Sequence, residues 1–385
     1  MDKINLIATT GFGIEAVTAR ELKDLGYRDQ MVENGRVTYT GDLNAICISN
    51  LWLRTAERVL LKIGEFKALS FEDLFQGTKA LPWEDWIPVN ATFPVEGKSV
   101  DSKLYSVSDC QAIVKKAVVE RLKQRYNVEW FEETGPRYRI EVALLKDMVT
   151  LTIDTSGAGL HKRGYRKLVT SAPIKETMAS ALILLSYWKR DRVLWDPFCG
   201  SGTIPIEAAL IGLNIAPGLN RKFDADEWDL IPEELWKTAR KEAREKIDLT
   251  RKLRIHGTDI DEEVISLARH HAREAGVEEF IHLQKRAMEE IKSKYEHGII
   301  ITNPPYGERL SDEKEVEKLY KSMGKTFREL KDWSYYVITS YEKFEKYFGK
   351  KADKKRKLYN GRIECNYYQY FGLPPKKSQN NNKKL

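Results

Sequence analysis

Apolar and polar positions along the chain fall into two successive regimes. In the first, short alternating runs and helical spacing intermix. Residues 3–8 (Lys-Ile-Asn-Leu-Ile-Ala) predict a strand, and Ile14, Val17, Leu22 and Leu25 then recur at helical spacing, with Gly26 placed to end that helix. Met31–Glu33 and Arg36–Tyr39 flank Asn34-Gly35, the strongest short hairpin signal. A second helix is predicted from about Asp42. Further along, Val89–Val95 reads as a strand and Asp109–Tyr126 as a helix. Arg137–Leu145 and Met148–Asp154 read as a hairpin around Lys146-Asp147.

From about Ala172 the second regime begins. Arg192–Asp196, Leu253–Asp259, Phe280–Lys285, Gly298–Thr302 and Trp333–Thr339 are short strand candidates separated by helical stretches. That alternation predicts a parallel, doubly wound α/β sheet. Lys354–Tyr359 and Arg362–Phe371, flanking Asn360-Gly361, predict a closing antiparallel hairpin. The expected organisation is an α+β unit over 1–65, a second over 66–155, a glycine-rich basic linker over 156–171, an α/β domain over 172–375 and a polar, disordered tail over 376–385.

Composition changes this picture in two places. The net charge is +7, yet residues 350–385 hold 11 basic against 2 acidic side chains, so the excess belongs to the C-terminal end. A basic segment there is either a phosphate contact or a solubilising tail. Lys115, Lys116, Lys123 and Arg125 also share one face of the Asp109–Tyr126 helix, which reads as a solvated face or an RNA contact. Cys47, Cys110, Cys199 and Cys365 are scattered without metal-ligand spacing. With no secretory pattern at the start and no apolar run long enough to span a bilayer, the expectation is a cytoplasmic protein with reduced thiols, no metal and no membrane partner.

Three motifs carry chemistry. Asp196-Pro197-Phe198-Cys199-Gly200-Ser201-Gly202-Thr203 stands where a strand ends and a helix begins. Its glycines allow close backbone approach to a ligand. It lacks both the three-glycine dinucleotide spacing and the phosphate-loop lysine, and an acidic strand tip suits a cationic ligand. Gly257-Thr258-Asp259-Ile260-Asp261 ends the next strand, where a carboxylate can accept from both hydroxyls of a ribose. The stretch from Gly202 to Asp259 is far longer than the usual separation of roughly 20 residues, so much of it reads as an insertion. Asn303-Pro304-Pro305-Tyr306 directly follows the apolar run Gly298–Thr302. There the Asn303 side-chain oxygen and the Pro304 carbonyl can each accept one hydrogen of an –NH2 group, and Tyr306 can stack an extruded base. The expectation is that this turn faces the Cys199–Gly202 bend across room for one planar ring.

In this order and on these strand ends, the motifs resemble the class I S-adenosylmethionine-dependent methyltransferases with an Asn-Pro-Pro-Tyr loop. The chain as a whole resembles the bacterial large-subunit ribosomal RNA N2-guanine methyltransferases that carry a THUMP domain. Gly11–Glu15, Leu53–Leu60, Asp154–Gly157, Leu160–Arg166, Ala172–Glu176, Asn303–Leu310 and Lys357–Gly361 carry that likeness. The resemblance implies a Rossmann-like domain with a seven-stranded mixed sheet and a C-terminal antiparallel hairpin, preceded by a ferredoxin-like and THUMP region. It implies S-adenosyl-L-methionine as cofactor and large-subunit ribosomal RNA as partner. Asp196, Phe198, Cys199, Gly200, Ser201, Gly202 and Thr203 would line the methionine end, and Asp259 and Ile260 the adenosine. Pro173 and Lys175 would form a lid. Asn303, Pro304, Pro305 and Tyr306 would hold the target base. Arg286 stands where relatives often carry an acidic residue toward adenine, so backbone contacts from Arg286 or Ala287 are expected instead. Lys115, Lys116, Lys162, Arg163, Arg166, Lys355, Arg356 and Lys357 are the expected RNA contacts. The loop alone fits adenine N6 or a protein glutamine as well as guanine N2, and a non-catalytic ribosome-assembly factor is a further alternative.

Overall fold

The computed structural model describes residues 3–166, 174–305 and 313–374. The chain divides into two units, Met1–Arg163 with Ala216–Ile247, and Gly164–Ile215 with Asp248–Leu385.

The first unit holds strands β1 (Ile4–Thr10), β2 (Gln30–Glu33), β3 (Arg36–Gly41), β4 (Ala56–Lys67), β5 (Val95–Val100), β6 (Ile140–Leu145) and β7 (Met148–Asp154). They form one sheet in the order β2-β3-β1-β4-β7-β6-β5. The long β4 pairs with β1 along one edge and with β7 along the other, so a single sheet runs across position 65. Asn34-Gly35 makes the β2–β3 turn, and Asp42 caps the helix Leu43–Trp52 by accepting from the Ala45 N–H. Lys146 and Asp147, both at positive φ, make the two-residue β6–β7 turn. One strand differs from expectation. In place of Val89–Val95 the ladder is Val95–Val100, preceded by an isolated bridge from Thr92 to Arg137. Pro94 has no N–H to donate, so the pairing breaks there while its carbonyl still accepts from Ile140.

The segment Ala216–Ile247 builds into this unit through aromatic side chains. Trp228 stacks on Tyr138 with ring centres 4.4 Å apart and donates its indole N–H to the Arg137 carbonyl. The helix Glu233–Glu245 buries Trp236, which stacks on Phe223. Such pairs add about 0.5–1.5 kcal/mol beyond their buried area.

The second unit holds β8 (Leu194–Asp196), β9 (Ile255–Asp259), β10 (Ile281–Lys285), β11 (Ile299–Thr302), β12 (Ser334–Thr339), β13 (Lys354–Asn360) and β14 (Ile363–Tyr370). Their order is β10-β9-β8-β11-β12-β14-β13. The first five run parallel, and β14 inserts antiparallel between β12 and β13. β11, Ile-Ile-Ile-Thr, is buried at every position, as a central parallel strand must be. Helices Thr203–Gly212, Glu262–Glu274 and Glu313–Arg328 follow β8, β9 and β11. Between β10 and β11 the expected helix is missing. Only the single 3-10 turn Met288–Glu290 forms, because the connection has few apolar positions beyond Met288 and Ile291 to bury. The final hairpin also turns one residue later than expected. Asn360 pairs with Ile363, leaving Gly361-Arg362 as the turn, and the positive φ falls on Gly361. No helix among the described residues is long and apolar enough to cross a membrane.

Candidate active site

Strand order reverses beside β8. The chain leaves β8 toward β9 and β10, then returns to its other side as β11. Ligands of open α/β sheets bind outside the carboxyl ends of the strands at such a point. All three motifs leave the sheet there. Ile300 pairs with Trp195, so the Asp196 and Asn303 turns emerge side by side from neighbouring parallel strands.

Asp196 ends β8 and is only 1% exposed. Its Oδ1 accepts from the Thr302 hydroxyl at 2.7 Å and from the Phe198 N–H at 3.2 Å. Burial pushes its carboxyl up to about 7, against the lowering effect of these two bonds, and the charge of Asp259 adds to the rise. Among the described residues no cation pairs with it. A buried carboxylate with neutral donors alone is costly unless a cation arrives.

The turn after Asp196 is a cradle. Gly200 has φ +52, and a Cβ built there meets nothing within 4 Å. Its N–H donates to Asp259 Oδ2 at 3.1 Å, tying the first motif to the second. Gly202, at φ +87, precedes the helix Thr203–Gly212, and a Cβ there would press within 3.1 Å of the Ala268 side chain. Cys199, Ser201 and Thr203 are buried, and Phe198 is half-buried. Burial holds the Cys199 thiol well above its ordinary value, so it stays un-ionised. Asp259 Oδ1 accepts from the Asp261 N–H, and burial raises its carboxyl too. Ile260 is 68% exposed beside it, and the Arg286 N–H donates to the Asp259 carbonyl. The Arg286 guanidinium lies over the Trp195 ring, and Ala287 follows it into the 3-10 turn.

On the β11 side, Asn303 is 9% exposed, and among the described residues its Oδ1 is buried without a hydrogen-bond partner. Pro304 is buried and Pro305 half-buried. The Pro305 carbonyl accepts from the Tyr320 hydroxyl, which also contacts Thr339 Oγ1 at 2.9 Å. Tyr306 and Pro173 lie outside the described residues. Lys175 immediately precedes the helix Glu176–Leu185.

Several contributors escaped the sequence reading. Thr302 holds Asp196, Tyr320 braces the proline turn, and His271, fully buried, sets its Nδ1 3.1 Å from the Ser201 carbonyl of the cradle. The one available signal was Thr302, a polar residue closing an isoleucine run.

The basic residues fall into two sorts. Lys115 pairs with Glu133 and sits over the Phe93 ring, Lys116 lies near Phe75, and Lys123 pairs with Glu129. Arg163 is buried, with its donors on the Leu160 and Arg54 carbonyls. Arg166 bonds Glu176, the Ile174 carbonyl and Thr203. Lys162 is exposed. On edge strand β13, Lys355 reaches over Tyr368, Lys357 pairs with Glu364, and Arg356 is half-buried. Charge on an outer strand also guards against edge pairing. Glu296, His297 and Asp332 approach one another within 4.8 Å, but Glu296 already pairs with Lys331 and His297 contacts the Leu373 carbonyl.

A doubly wound sheet with a closing antiparallel hairpin, an acidic strand tip over an open glycine cradle and an Asn-Pro-Pro turn beside it define a class I methyltransferase. Enzymes of this class draw their methyl group from S-adenosyl-L-methionine. The chain belongs to the RMKL-like methyltransferase family, whose domain model matches residues 163–369. The RlmL ferredoxin-like domain model matches residues 5–60 and the THUMP domain model residues 68–154. The Bacillus subtilis (strain 168) protein named "Putative RNA methyltransferase YpsC" is 52% identical over 96% of this chain and 97% of its own. The "Ribosomal RNA large subunit methyltransferase K/L" of Psychromonas ingrahamii (strain DSM 17664 / CCUG 51855 / 37) is 33% identical over 96% of this chain, which spans 50% of that protein. The crystal structure of SMU.472 complexed with SAH matches at a TM-score of 0.93 and 48% identity, covering 98% of this chain and 100% of that one.

Proposed function

We propose that the protein methylates the exocyclic N2 amine of a guanine in large-subunit ribosomal RNA. The observation that carries the reading is the pairing of two unmet needs at the carboxyl end of the sheet: among the described residues the buried Asp196 has no cation, and the buried Asn303 oxygen no donor. When bound, S-adenosyl-L-methionine supplies an activated methyl group and an ammonium. Asp196 would receive that ammonium, the Gly200 cradle would leave room for the methionine end, and Asp259 would accept from the ribose hydroxyls, with Ile260 beside the adenosine. Asn303 Oδ1 and the Pro304 carbonyl each accept one hydrogen of the target amine. That would fix the nitrogen with its lone pair aimed at the methyl donor; the amine's surplus proton leaves to solvent after transfer, so positioning substitutes for a strong base. Tyr320 holds the turn that presents these acceptors.

RNA as the substrate is supported by the match of the first unit to the THUMP domain model and by the names of the relatives. Such a domain grips RNA by shape and backbone. The Lys115 face, where Glu133 and Glu129 pair with Lys115 and Lys123, is a weaker contact surface than the exposed Lys162 and Lys355. The test is methylation of ribosomal RNA from a strain lacking the gene, followed by mass-spectrometric nucleoside analysis. N2-methylguanosine is expected. N6-methyladenosine, or no product from RNA with transfer to protein instead, overturns the assignment.

A further inference from the structure

The sheet of the second unit has two unlike faces beside its switch point. Along β8, β9 and β10 one face carries Leu194, Ile255, Ile281 and Leu283, the apolar face of a doubly wound sheet. The alternate positions are Val193, Trp195, His256, Thr258, His282 and Gln284. A parallel strand covered by helices on both faces reads as continuously apolar, and these do not. No α-helix forms between β10 and β11 to cover that second face. Instead the segment Lys292–Tyr295 runs beside it as one wall of a half-open cavity of about 350 Å³, within the range of small-molecule sites.

The lining has one sign of charge. Arg286, Lys292 and Lys294 face the cavity, and no carboxylate does among the described residues. Among the described residues none of the three forms an ion pair, whereas Lys115, Arg121, Arg139 and Arg240 elsewhere all do. The floor is aromatic: Trp195 is buried with its N–H on Thr258 Oγ1, and His256 packs 5.1 Å from its ring. Burial, then the neighbouring His282 and Arg286, push the His256 imidazole down to about 4, so at neutral pH it adds a hydrogen-bonding ring without charge. Tyr295 and His282 complete the wall.

We propose that this cavity is a binding site for a nucleoside phosphate, separate from the strand-tip cradle. The phosphate sits among Lys292, Lys294 and Arg286, and the base lies against the ring-lined floor. Nothing in this depends on which amine receives the methyl group.

The experiment is calorimetric titration of the full chain with uridine 5′-monophosphate in saturating S-adenosylhomocysteine, which blocks the cofactor's own adenosine site. Uridine and hexa-uridylate are titrated in parallel. Uridine monophosphate is expected to bind and uridine to bind on the order of tenfold more weakly or not at all. K292E/K294E, at two exposed positions, is expected to lose on the order of tenfold in monophosphate affinity while S-adenosylhomocysteine affinity and melting temperature hold. Hexa-uridylate binding tighter than the monophosphate assigns the site to an RNA strand, and equal affinity assigns it to a free nucleotide. Equal binding of uridine and its monophosphate, or no effect of the double charge reversal, overturns the proposal. Because the readout is binding alone, loss of the guanine assignment would leave it standing.

Discussion

Two aspartates, each at the end of a strand and each almost fully buried, are treated in opposite ways by the two units. Asp154 ends β7 and is 2% exposed; Asp196 ends β8 and is 1% exposed. Asp154 is saturated from within: Arg58 and Arg139 both reach its Oδ2, and the Ser156 and Gly157 N–H groups bond its Oδ1. Among the described residues, Asp196 has one hydroxyl, one N–H and no guanidinium. The first is a clamp that closes the sheet onto the following loop. The second is left short of a cation, at the edge where ligands enter such sheets. Burial alone therefore does not tell the two carboxyls apart, and the count of satisfied oxygens does.

The comparison can be broken in several places. The largest effect is expected at Asn303, the neutral counterpart of Asp196 across the switch point. Asn303→Ala should lower methyl transfer on the order of a hundredfold or more while cofactor affinity stays within about twofold. Single-turnover kinetics with calorimetry checks it, and near-normal transfer would refute the acceptor role. Gly200→Val, which fills the cradle and strains a left-handed residue, should weaken S-adenosylhomocysteine binding on the order of tenfold or more. Denaturant unfolding separates the aspartates: Asp154→Asn should cost about 1–3 kcal/mol by taking the charge partner from the buried Arg139, which keeps Glu96, and from the half-buried Arg58. Asp196→Asn should cost nothing. A carboxyl whose folded value is raised to about 7 removes stability as pH climbs from its unfolded range through 7, and the amide avoids that loss. The smallest effect on turnover is expected from Tyr320→Phe, which removes the hydroxyl's bond to the Pro305 carbonyl and its contact with Thr339 and should lower turnover about fivefold.

Much of the second unit was legible because its signals are local. Isoleucine runs mark parallel strands, and the glycines after Asp196 mark a strand-to-helix turn at positive φ. What was illegible depends on contacts distant in sequence. The 216–247 segment reads as a charged insertion, and only the seating of Trp228 on Tyr138 shows that it folds with the first unit. Pro94 displaced a predicted strand because one missing N–H outweighs β-propensity. The basic helix face looked free until Glu133, from a loop 18 residues on, neutralised Lys115. The environment of Asp196 was likewise hidden, since Thr302 lies 106 residues away. The uncovered face of β8–β10 followed from a helix that did not form, a connection for which periodicity alone gave the wrong element.

The central claim is that Asp196 is a receptor kept short of its cation. Calorimetric titration of S-adenosylhomocysteine at pH 6 and pH 8 into the native chain and Asp196→Asn tests it. Below about 7 the carboxyl holds a proton that must leave before an ammonium can pair with it. The native affinity should therefore rise by up to about tenfold per pH unit below that value, with the asparagine variant weak and much flatter across the range. Equal affinities of the two proteins at pH 8 would contradict the account.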